Sequence, residues 1–282
     1  MTRRIICMLA SLVLGFGAAA AGAEAAGEPI RVIFLDVGKG DCILISKAGT
    51  HVLIDTGYAD TAADVIAAIR EAGADRLDAV ILTHYDKDHV GGAKDILESF
   101  PVGQVYLPGY VGENKYYDAI TYLIRADGLP AEKVTEDVSF TLAGVRYDIF
   151  ATDLAYIPSD GEKEANDNDV SLVVAMVNGD DSFLFAGDIE SEGISAFLAA
   201  GHGTFDVVKM PHHGQNEKNS DEFINQVRMK IAVITDSEEE PVKKKMRKQL
   251  EAVGAEMYCS SENGRITVTG NGNGEYQVVV EK

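Results

Sequence analysis

The sequence has no tryptophan, only three cysteines and six histidines, and few basic residues for its length of 282. Lysine and arginine together number 25 against 45 acidic residues, which gives a net charge of −20. Such an acidic chain argues against a broad cationic groove for nucleic acid, because phosphate backbones are bound mainly through lysine and arginine. A phosphate substrate is still allowed, since bound metal ions can supply positive charge locally.

Cysteine is too scarce for a disulfide framework. Cys7 lies in the N-terminal segment, so Cys42 and Cys259 are the only cysteines in the remainder of the chain. An oxidising compartment would permit one disulfide between them. Cys42 begins the apolar run "CILI", and this setting favours a buried free thiol at least as strongly as a disulfide.

Long apolar runs are absent except at the N-terminus. Residues 1–26 combine a cationic start, a continuous apolar stretch and small residues at positions 23–26, which together predict a signal peptide cleaved near 23–26. An uncleaved anchor is the alternative, since the stretch is nearly long enough to span a bilayer. The Arg3-Arg4 pair leaves open whether export is by Sec or Tat. We expect a secreted or periplasmic protein without stable membrane insertion after cleavage, with residues 27–282 forming one domain.

The rest of the chain alternates β-rich runs with amphipathic segments. The first half predicts strands at 30–37, 41–46, 51–57, 77–83 and 102–109, with helices at 61–74, 93–100 and 114–128. The second half predicts strands at 138–151, 170–179, 182–188, 204–211 and 230–236, helices at 190–201 and 241–254, and a hairpin at 265–280. Two such halves without a linker predict an α/β fold with two sheets face to face and helices outside. Segment 156–169 is the only long irregular stretch, and loops of that length are often functional.

The segment "THYDKDHVGG", residues 83–92, crowds five ionisable side chains into one turn after an apolar run. Alternate residues of an extended segment point the same way, so His84 and Asp86 can share one metal ion while Asp88 and His89 address a second. The two glycines that end the motif are expected to let the backbone turn tightly into the next helix.

Two later strand ends can complete such a site. Asp188 follows the apolar run "FLFAG" and, as a carboxylate, can bridge two ions. A histidine of "HHG" would complete the second site, and His212 is preferred over His213 because it is nearer the strand end. A lone histidine is more often structural, but four ligand-bearing strand ends together favour a metal site.

The motif resembles the metal-binding signature of the metallo-β-lactamase superfamily, usually written H-x-H-x-D-H. Six further segments are similar, in the same order, to the hydrolase domain of the ComEC-like DNA-uptake proteins: "FLDVGKGDCILI" (34–45), "LIDTG" (53–57), "NDVSLVV" (168–174), "FLFAGDIE" (183–190), "VVKMPHHG" (207–214) and "GAEMYCSSENGRITVT" (254–269). The resemblance covers nearly all of residues 27–282. The membrane channel of the ComEC-like proteins has no counterpart in this sequence. The resemblance implies a four-layer αββα sandwich in a secreted stand-alone relative that binds one or two divalent ions, Zn²⁺ or Mn²⁺.

The sequence departs from the superfamily pattern at the first metal position. Asp86 stands where the superfamily more usually has histidine, and no histidine occurs between residues 90 and 188. Asn168 or Asp169 is the nearest substitute. The first position is therefore oxygen-rich, which shifts preference towards Mn²⁺, and occupancy by one ion is an alternative.

Other candidates are less specific. Asp55 is expected either to orient a ligating histidine or to cap a turn. Asp36 and Asp41 flank the first hairpin and would reach the pocket by analogy with the family, although aspartate beside glycine is also ordinary turn chemistry. The basic run 243–248 is expected to be a solvated helix face.

The leading functional hypothesis is a metal-dependent hydrolase of phosphodiester bonds, acting on extracellular nucleic acid or a phosphorylated polymer through an activated water. Asp188 would bridge the ions and Asp88 would manage protons. The alternatives are a hydrolase of a β-lactam, lactone or thioester, and a metal-binding module without catalytic activity. The oligomeric state stays open.

Overall fold

The computed structural model describes residues 27–151 and 167–282. The predicted signal peptide and most of the predicted functional loop lie outside the described residues. Within those two ranges, none of the helices is long and apolar enough to span a bilayer.

The first sheet has eight strands in the order β15-β14-β1-β2-β3-β4-β5-β6. Strands β1, β2 and β3 form the predicted meander, and β14 pairs with β1 so that the C-terminal hairpin joins the N-terminal strands. Its strands are β1 (Ile30–Phe34), β2 (Ile43–Lys47), β3 (Thr50–Ile54), β4 (Ala79–Ile81), β5 (Val105–Pro108), β6 (Ala131–Val134), β14 (Ile266–Gly270) and β15 (Tyr276–Val280).

The second sheet has seven strands in the order β13-β12-β11-β10-β9-β8-β7. Strands β7 to β10 are antiparallel neighbours, whereas β10, β11, β12 and β13 run parallel. The strands are β7 (Val138–Leu142), β8 (Val145–Phe150), β9 (Val173–Asn178), β10 (Asp181–Phe185), β11 (Val207–Lys209), β12 (Ile231–Ile234) and β13 (Glu256–Cys259).

Three apolar clusters define four layers. One cluster fills the space between the sheets, where Phe34 and Phe185 place their ring centroids 6.2 Å apart. The other two lie on the outer faces of the sheets, beneath the helices. The helices are α1 (Ala62–Glu71), α2 (Lys87–Val90), α3 (Ala93–Ser99), α4 (Lys115–Ala126), α5 (Ser191–Ala200), α6 (Ser220–Val227), α7 (Lys244–Ala252) and α8 (Ser260–Asn263). The predicted αββα sandwich is confirmed.

The burial patterns follow from this layering. Strands β2 and β3 are buried on both faces because helices cover one face and the second sheet the other. The peripheral strands β7 and β15 instead alternate between partly buried and exposed residues. The predicted helix 241–254 begins only at Lys244, because Lys243 is extended and the backbone N–H of Val242 donates outside the helix, to Asp236 Oδ2 at 2.8 Å.

The strand directions bring several polar segments to one edge of the sandwich. Strands β3 and β4 are parallel, as are β10, β11 and β12, so the residues after their carboxyl ends converge. The segments that carry His84, Asp188 and His213 each follow one of these strands, whereas Asn168 and Asp169 lie in a 3₁₀ turn before β9.

Candidate metal centre

Four buried polar side chains come from four different strand ends. Asp55 follows β3, His84 follows β4, Asp188 follows β10, and His213 follows β11 through a 3₁₀ turn, Pro211–Gly214. None is more than 3% exposed. The sandwich therefore buries these polar groups together, and such groups require partners.

The tightest group consists of Asp88, His89, Asp188 and His213, whose ligand atoms all lie within 4.8 Å of one another. Asp188 Oδ2 is at its centre, 3.2 Å from His89 Nε2 and 3.0 Å from His213 Nε2. Asp88 Oδ2 lies 3.5 Å from the same His213 nitrogen. Two imidazoles and two carboxylates thus converge from both sheets.

The hydrogen bonds behind the histidines determine which ring nitrogen is protonated. Thr83 Oγ1 donates its single proton to Asp55 Oδ2 at 2.7 Å, so it can only accept from His84 Nδ1 at 3.1 Å. His89 Nδ1 donates directly to Asp55 Oδ2 at 2.7 Å. Both rings therefore carry their proton on Nδ1.

His213 follows the same rule on the second sheet. Thr235 Oγ1 donates to Asp41 Oδ1 at 2.6 Å and so accepts from His213 Nδ1 at 3.0 Å. Such outer partners hold a ligating imidazole in one tautomer and one orientation.

The remaining nitrogen of each ring is the test of whether a metal ion fits. Nε2 of His84, His89 and His213 is buried and has no hydrogen-bond partner among the described residues. Buried polar atoms are otherwise nearly always paired. Burial opposes protonation of His89 and His213, but the charge of Asp188 raises the pKa of both rings, so in the absence of metal their Nε2 atoms hold protons that face the carboxylates. A divalent cation that displaces these protons meets three imidazole nitrogens beside carboxylates, which is a donor set it favours.

The first position predicted from the motif is more open. His84 Nε2 lies 3.8 Å from Asp86 Oδ2, and the rings of His84 and His89 are 4.1 Å apart. The Asp86 side chain is 46% exposed. Burial, followed by the charges of Asp167 and Asp88, raises the pKa of Asp86 to about 6.

Asp167 is a neighbour of the first position that the sequence reasoning did not single out. Its carboxylate accepts from Tyr110 Oη at 3.3 Å and is an electrostatic neighbour of Asp86, and burial is the main cause of its raised pKa. The two substitutes predicted from the sequence are used differently: Asn168 donates to Glu190 Oε1 at 2.9 Å, and Asp169 accepts from backbone N–H groups at the start of α5. The residue of this segment that is an electrostatic neighbour of Asp86 is thus one position earlier than the two that were predicted.

The preference for His212 over His213 does not match the geometry. His212 Nδ1 lies 3.3 Å from Glu190 Oε1 and 3.4 Å from Glu217 Oε1, in a group separate from the tight cluster. The 3₁₀ turn reverses the chain, so the second histidine rather than the first points back to Asp188.

Backbone strain is concentrated at this edge. His212 and His213 have φ values of 44° and 51°, and Asp55 has a φ of 55°. Each such residue costs about 1–3 kcal/mol and persists only where its surroundings require it. The Asp55 carboxylate accepts from the Thr83 N–H at 2.8 Å as well as from His89, so it orients the site rather than caps a turn.

One buried cation accompanies the acids. Lys209, the last residue of β11, is fully buried and places Nζ 2.5 Å from Asp41 Oδ2 and 3.1 Å from Asp188 Oδ1. Lysine inside an apolar strand is rare unless it is paired, and "VVKMP" next to "HHG" is the sequence feature that could have revealed it.

The pKa values of the central carboxylates follow from these neighbours. Burial raises the pKa of Asp88, but the contact with His213 and the charges of the protonated His89 and His213 rings outweigh it and hold the pKa at about 2. Burial also opposes ionisation of Asp188, yet the charges of His213, His89 and Lys209 keep its pKa well below the usual range. Both aspartates are therefore ionised at neutral pH.

The two glycines of the motif serve close packing rather than a turn. Gly91 has ordinary helical angles, φ −57° and ψ −41°. A side chain on Gly91 would lie 2.6 Å from the backbone nitrogen of Ala59, and one on Gly92 would lie 2.7 Å from Thr56 O. The expectation of conformational freedom is thus wrong, and the motif instead needs the loop after β3 pressed against it.

The remaining candidates lie in or away from the site as follows. Asp41 is in it, whereas Asp36 lies at the surface, where its Oδ2 is 3.3 Å from Lys282 Nζ. Cys42 and Cys259 are both buried and free, so the structure contains the free thiols and not the disulfide. The lysines of the 243–248 run are exposed, as expected.

Comparison with known proteins places this arrangement in a family. Residues 35–235 match the model of the metallo-beta-lactamase superfamily, over most of the chain. The chain belongs to that superfamily. Members of the metallo-beta-lactamase superfamily are metal-dependent hydrolases, which accords with the three free imidazole nitrogens.

Curated relatives confirm the more specific resemblance. The chain is 28% identical over 225 residues to ComE operon protein 3 of Bacillus subtilis, covering 73% of this chain and 28% of that protein. It is 27% identical over 201 residues to competence protein ComA of Neisseria gonorrhoeae, covering 70% of this chain and 26% of that protein. The chain thus spans about a quarter of the length of these relatives.

A solved structure supports the fold. The metallo-beta-lactamase fold protein YhfI of Bacillus subtilis aligns with a TM-score of 0.56 at 14% identity, covering 86% of this chain and all of that one. At that identity the likeness concerns the fold alone.

Proposed function

We propose that the protein is a metal-dependent phosphodiesterase that cleaves nucleic acid or another phosphodiester polymer outside the cytoplasm. The observation that carries the proposal is the donor set: three imidazole Nε2 atoms freed by their Nδ1 hydrogen bonds face ionised carboxylates. Divalent ions, when bound, lower the pKa of a coordinated water and stabilise the charge that develops on a phosphoryl group.

Two positions of unequal quality are proposed for the ions. Asp88, His89 and His213, with Asp188 shared, would hold the tighter ion because their atoms already converge. His84, Asp86 and Asp167 would hold the weaker one, with Asp188 again shared. Zn²⁺ suits the tighter set of ligands, and the weaker, oxygen-rich set around His84 favours Mn²⁺.

The residues of the chain have separable tasks in this reaction. Asp188 presents one oxygen to the centre of the site, and Asp55 and Thr235 fix the rings of His89 and His213. Asp88, ionised and 18% exposed at its side chain, would contact the tighter ion through one oxygen and take a proton from an attacking water through the other.

The choice of phosphodiester over β-lactam rests on the open first position. Only His84 supplies an imidazole there, because His51 bonds to Ser46 and His202 stacks on Phe150 away from the site. Carboxylates replace the other nitrogen donors. The name of the competence relative and the N-terminal pattern typical of an export signal support an extracytoplasmic nucleic-acid substrate.

The test uses purified protein supplied with Mn²⁺ or Zn²⁺ against bis-p-nitrophenyl phosphate, single-stranded DNA and nitrocefin. We expect hydrolysis of the two phosphodiesters, loss of it in Asp88→Asn, and no nitrocefin turnover. Asp95→Asn, an exposed aspartate on α3, is the matched control. Absence of phosphodiester turnover with either metal would refute the proposal, and nitrocefin turnover would favour a lactamase.

A further inference from the structure

Lys209 makes more contacts than charge neutralisation requires. Its Nζ donates to Gly187 O at 2.9 Å and lies 2.5 Å from Asp41 Oδ2 and 3.1 Å from Asp188 Oδ1. Three acceptors match the three N–H donors of an ammonium group, so the side chain is fully satisfied although none of it is exposed. A group bound in this way has one fixed position.

The consequence for Asp188 is a division between its two oxygens. Oδ1 faces Lys209, whereas Oδ2 faces the Nε2 atoms of His89 and His213. A free carboxylate could chelate a single ion with both oxygens, as carboxylates often do. Here the lysine occupies the side of the carboxylate that chelation would need.

Lys209 also acts on the opposite wall of the site. Asp41 Oδ2 receives the lysine while its Oδ1 accepts from Thr235 Oγ1 at 2.6 Å. Thr235 in turn accepts from His213 Nδ1 at 3.0 Å. The lysine therefore anchors the chain of hydrogen bonds that sets the tautomer of His213.

We propose that Lys209 is a positioning residue that restricts Asp188 to ligation through Oδ2 alone, so that this carboxylate is shared between two ions rather than chelating one. The inference rests on the proposed function in that it assumes two bound ions. It concerns how the ions are shared, which is measurable whether or not the substrate is a phosphodiester.

The experiment compares metal binding in the whole protein and in Lys209→Met, which keeps the length of the side chain and removes its donors. Mn²⁺ is titrated by calorimetry, and electron paramagnetic resonance detects the coupling between two neighbouring Mn²⁺ ions. We expect the weaker ion, at His84, Asp86 and Asp167, to bind about 10- to 100-fold more weakly, as when other outer partners of metal ligands are removed. The coupling between the two ions should be lost with it. The tighter ion should still bind, because Asp88 and His89 keep their places and Asp188 is then able to chelate it, although the lost anchor of the Asp41–Thr235–His213 chain weakens it too.

Lys47→Met is the matched control. Lys47 is also buried, at 5% exposure, and its Nζ donates to Asn178 Oδ1 at 2.6 Å, away from the metal ligands. This variant loses a buried lysine and its hydrogen bond, so it should lose stability but retain both ions and their coupling.

A second variant distinguishes a direct loss of metal binding from a loss of folding. Lys209→Met leaves Asp41 without its cation, whereas Lys209→Met combined with Asp41→Asn removes both charges and should show the same loss of the weaker ion. Two ions bound with unchanged affinity and coupling in either folded variant would overturn the proposal, as would an unmodified protein that binds fewer than two. An unmodified protein that binds two coupled ions but cleaves no phosphodiester would refute the proposed function alone, and the variants would still decide the role of Lys209.

Discussion

Substituting Asp55 with asparagine should weaken metal binding without removing any residue that we propose as a ligand. The carboxylate accepts from the Thr83 N–H, the Thr83 hydroxyl and His89 Nδ1 at 2.8, 2.7 and 2.7 Å. Asparagine keeps one acceptor oxygen, which can serve the Thr83 N–H. Its amide nitrogen then faces His89 and donates to Nδ1, which moves the imidazole proton to Nε2.

The size of the effect follows from the loss of one correctly oriented nitrogen donor. Changes to outer partners of metal ligands typically cost about 10- to 100-fold in affinity. That range corresponds to about 1.4–2.7 kcal/mol. Because a bound ion stabilises the folded state by mass action, the stabilisation by metal should fall by the same amount. For a domain of this size the metal-induced rise in Tm would then shrink by about 3–10 °C.

The assay is thermal unfolding with saturating metal and with chelator, so that the difference between the two cancels any metal-independent loss of stability. Asp181→Asn is the control. Asp181 is also fully buried and accepts from Asn178 Nδ2 at 3.0 Å and from the N–H groups of Gly272 and Gly274 at 2.6 and 2.9 Å. It contacts no histidine, so its variant should keep the full metal-induced shift. A full shift in Asp55→Asn as well would refute the tautomer argument.

Three further predictions concern single groups. Burial and the neighbouring carboxylates raise the pKa of Asp86 to about 6, above the unfolded value of 3.8, so the chelator-treated protein should lose stability as the pH rises through this window. Asp86→Asn should flatten that slope in urea unfolding. His213→Ala should abolish binding of the tighter ion whereas His212→Ala should not, as measured by metal content after gel filtration; equal losses would contradict the geometry. Burial raises the pKa of Cys42 well above its usual value and that of Cys259 to about 12, so neither native thiol should react with Ellman's reagent at pH 8, and both should react in denaturant.

The sequence predicted the layers well because they depend on periodicity. Apolar runs and amphipathic helices were placed within a few residues, and the Asn-Gly turns identified the hairpin of β14 and β15. Elements with mixed patterns were missed. Strand β6 is exposed at three of its four residues, and β13 has only one buried residue, so neither has a strand-like apolar pattern.

The site was predicted where it depends on contiguous residues and missed where it depends on turns. The histidines and aspartates of the motif lie together as expected. The choice between His212 and His213 depended on a 3₁₀ turn with two left-handed residues, which no periodicity predicts. Asp167 was missed because neighbouring acids in one short loop look alike until the backbone assigns each a direction.

Lys209 was overlooked for a different reason. The strand "VVK" reads as apolar with a charged end, and a charged end is ordinary at the surface. Only the meeting of β11 with the loop after β1 places Asp41 beside it. Pairing between residues so distant in the chain is a property of the tertiary structure.

The convergence of ligands from both sheets gives a bound ion a role in folding as well as in chemistry. Asp88 and Asp188 are 100 positions apart in the chain. An ion held by both closes a loop as long as one sealed by a distant disulfide, for which the chain-entropy contribution is about 5 kcal/mol. Unlike a disulfide, this cross-link is removed by a chelator and restored by metal. The availability of metal would then set how tightly the two sheets are held together, independently of any substrate.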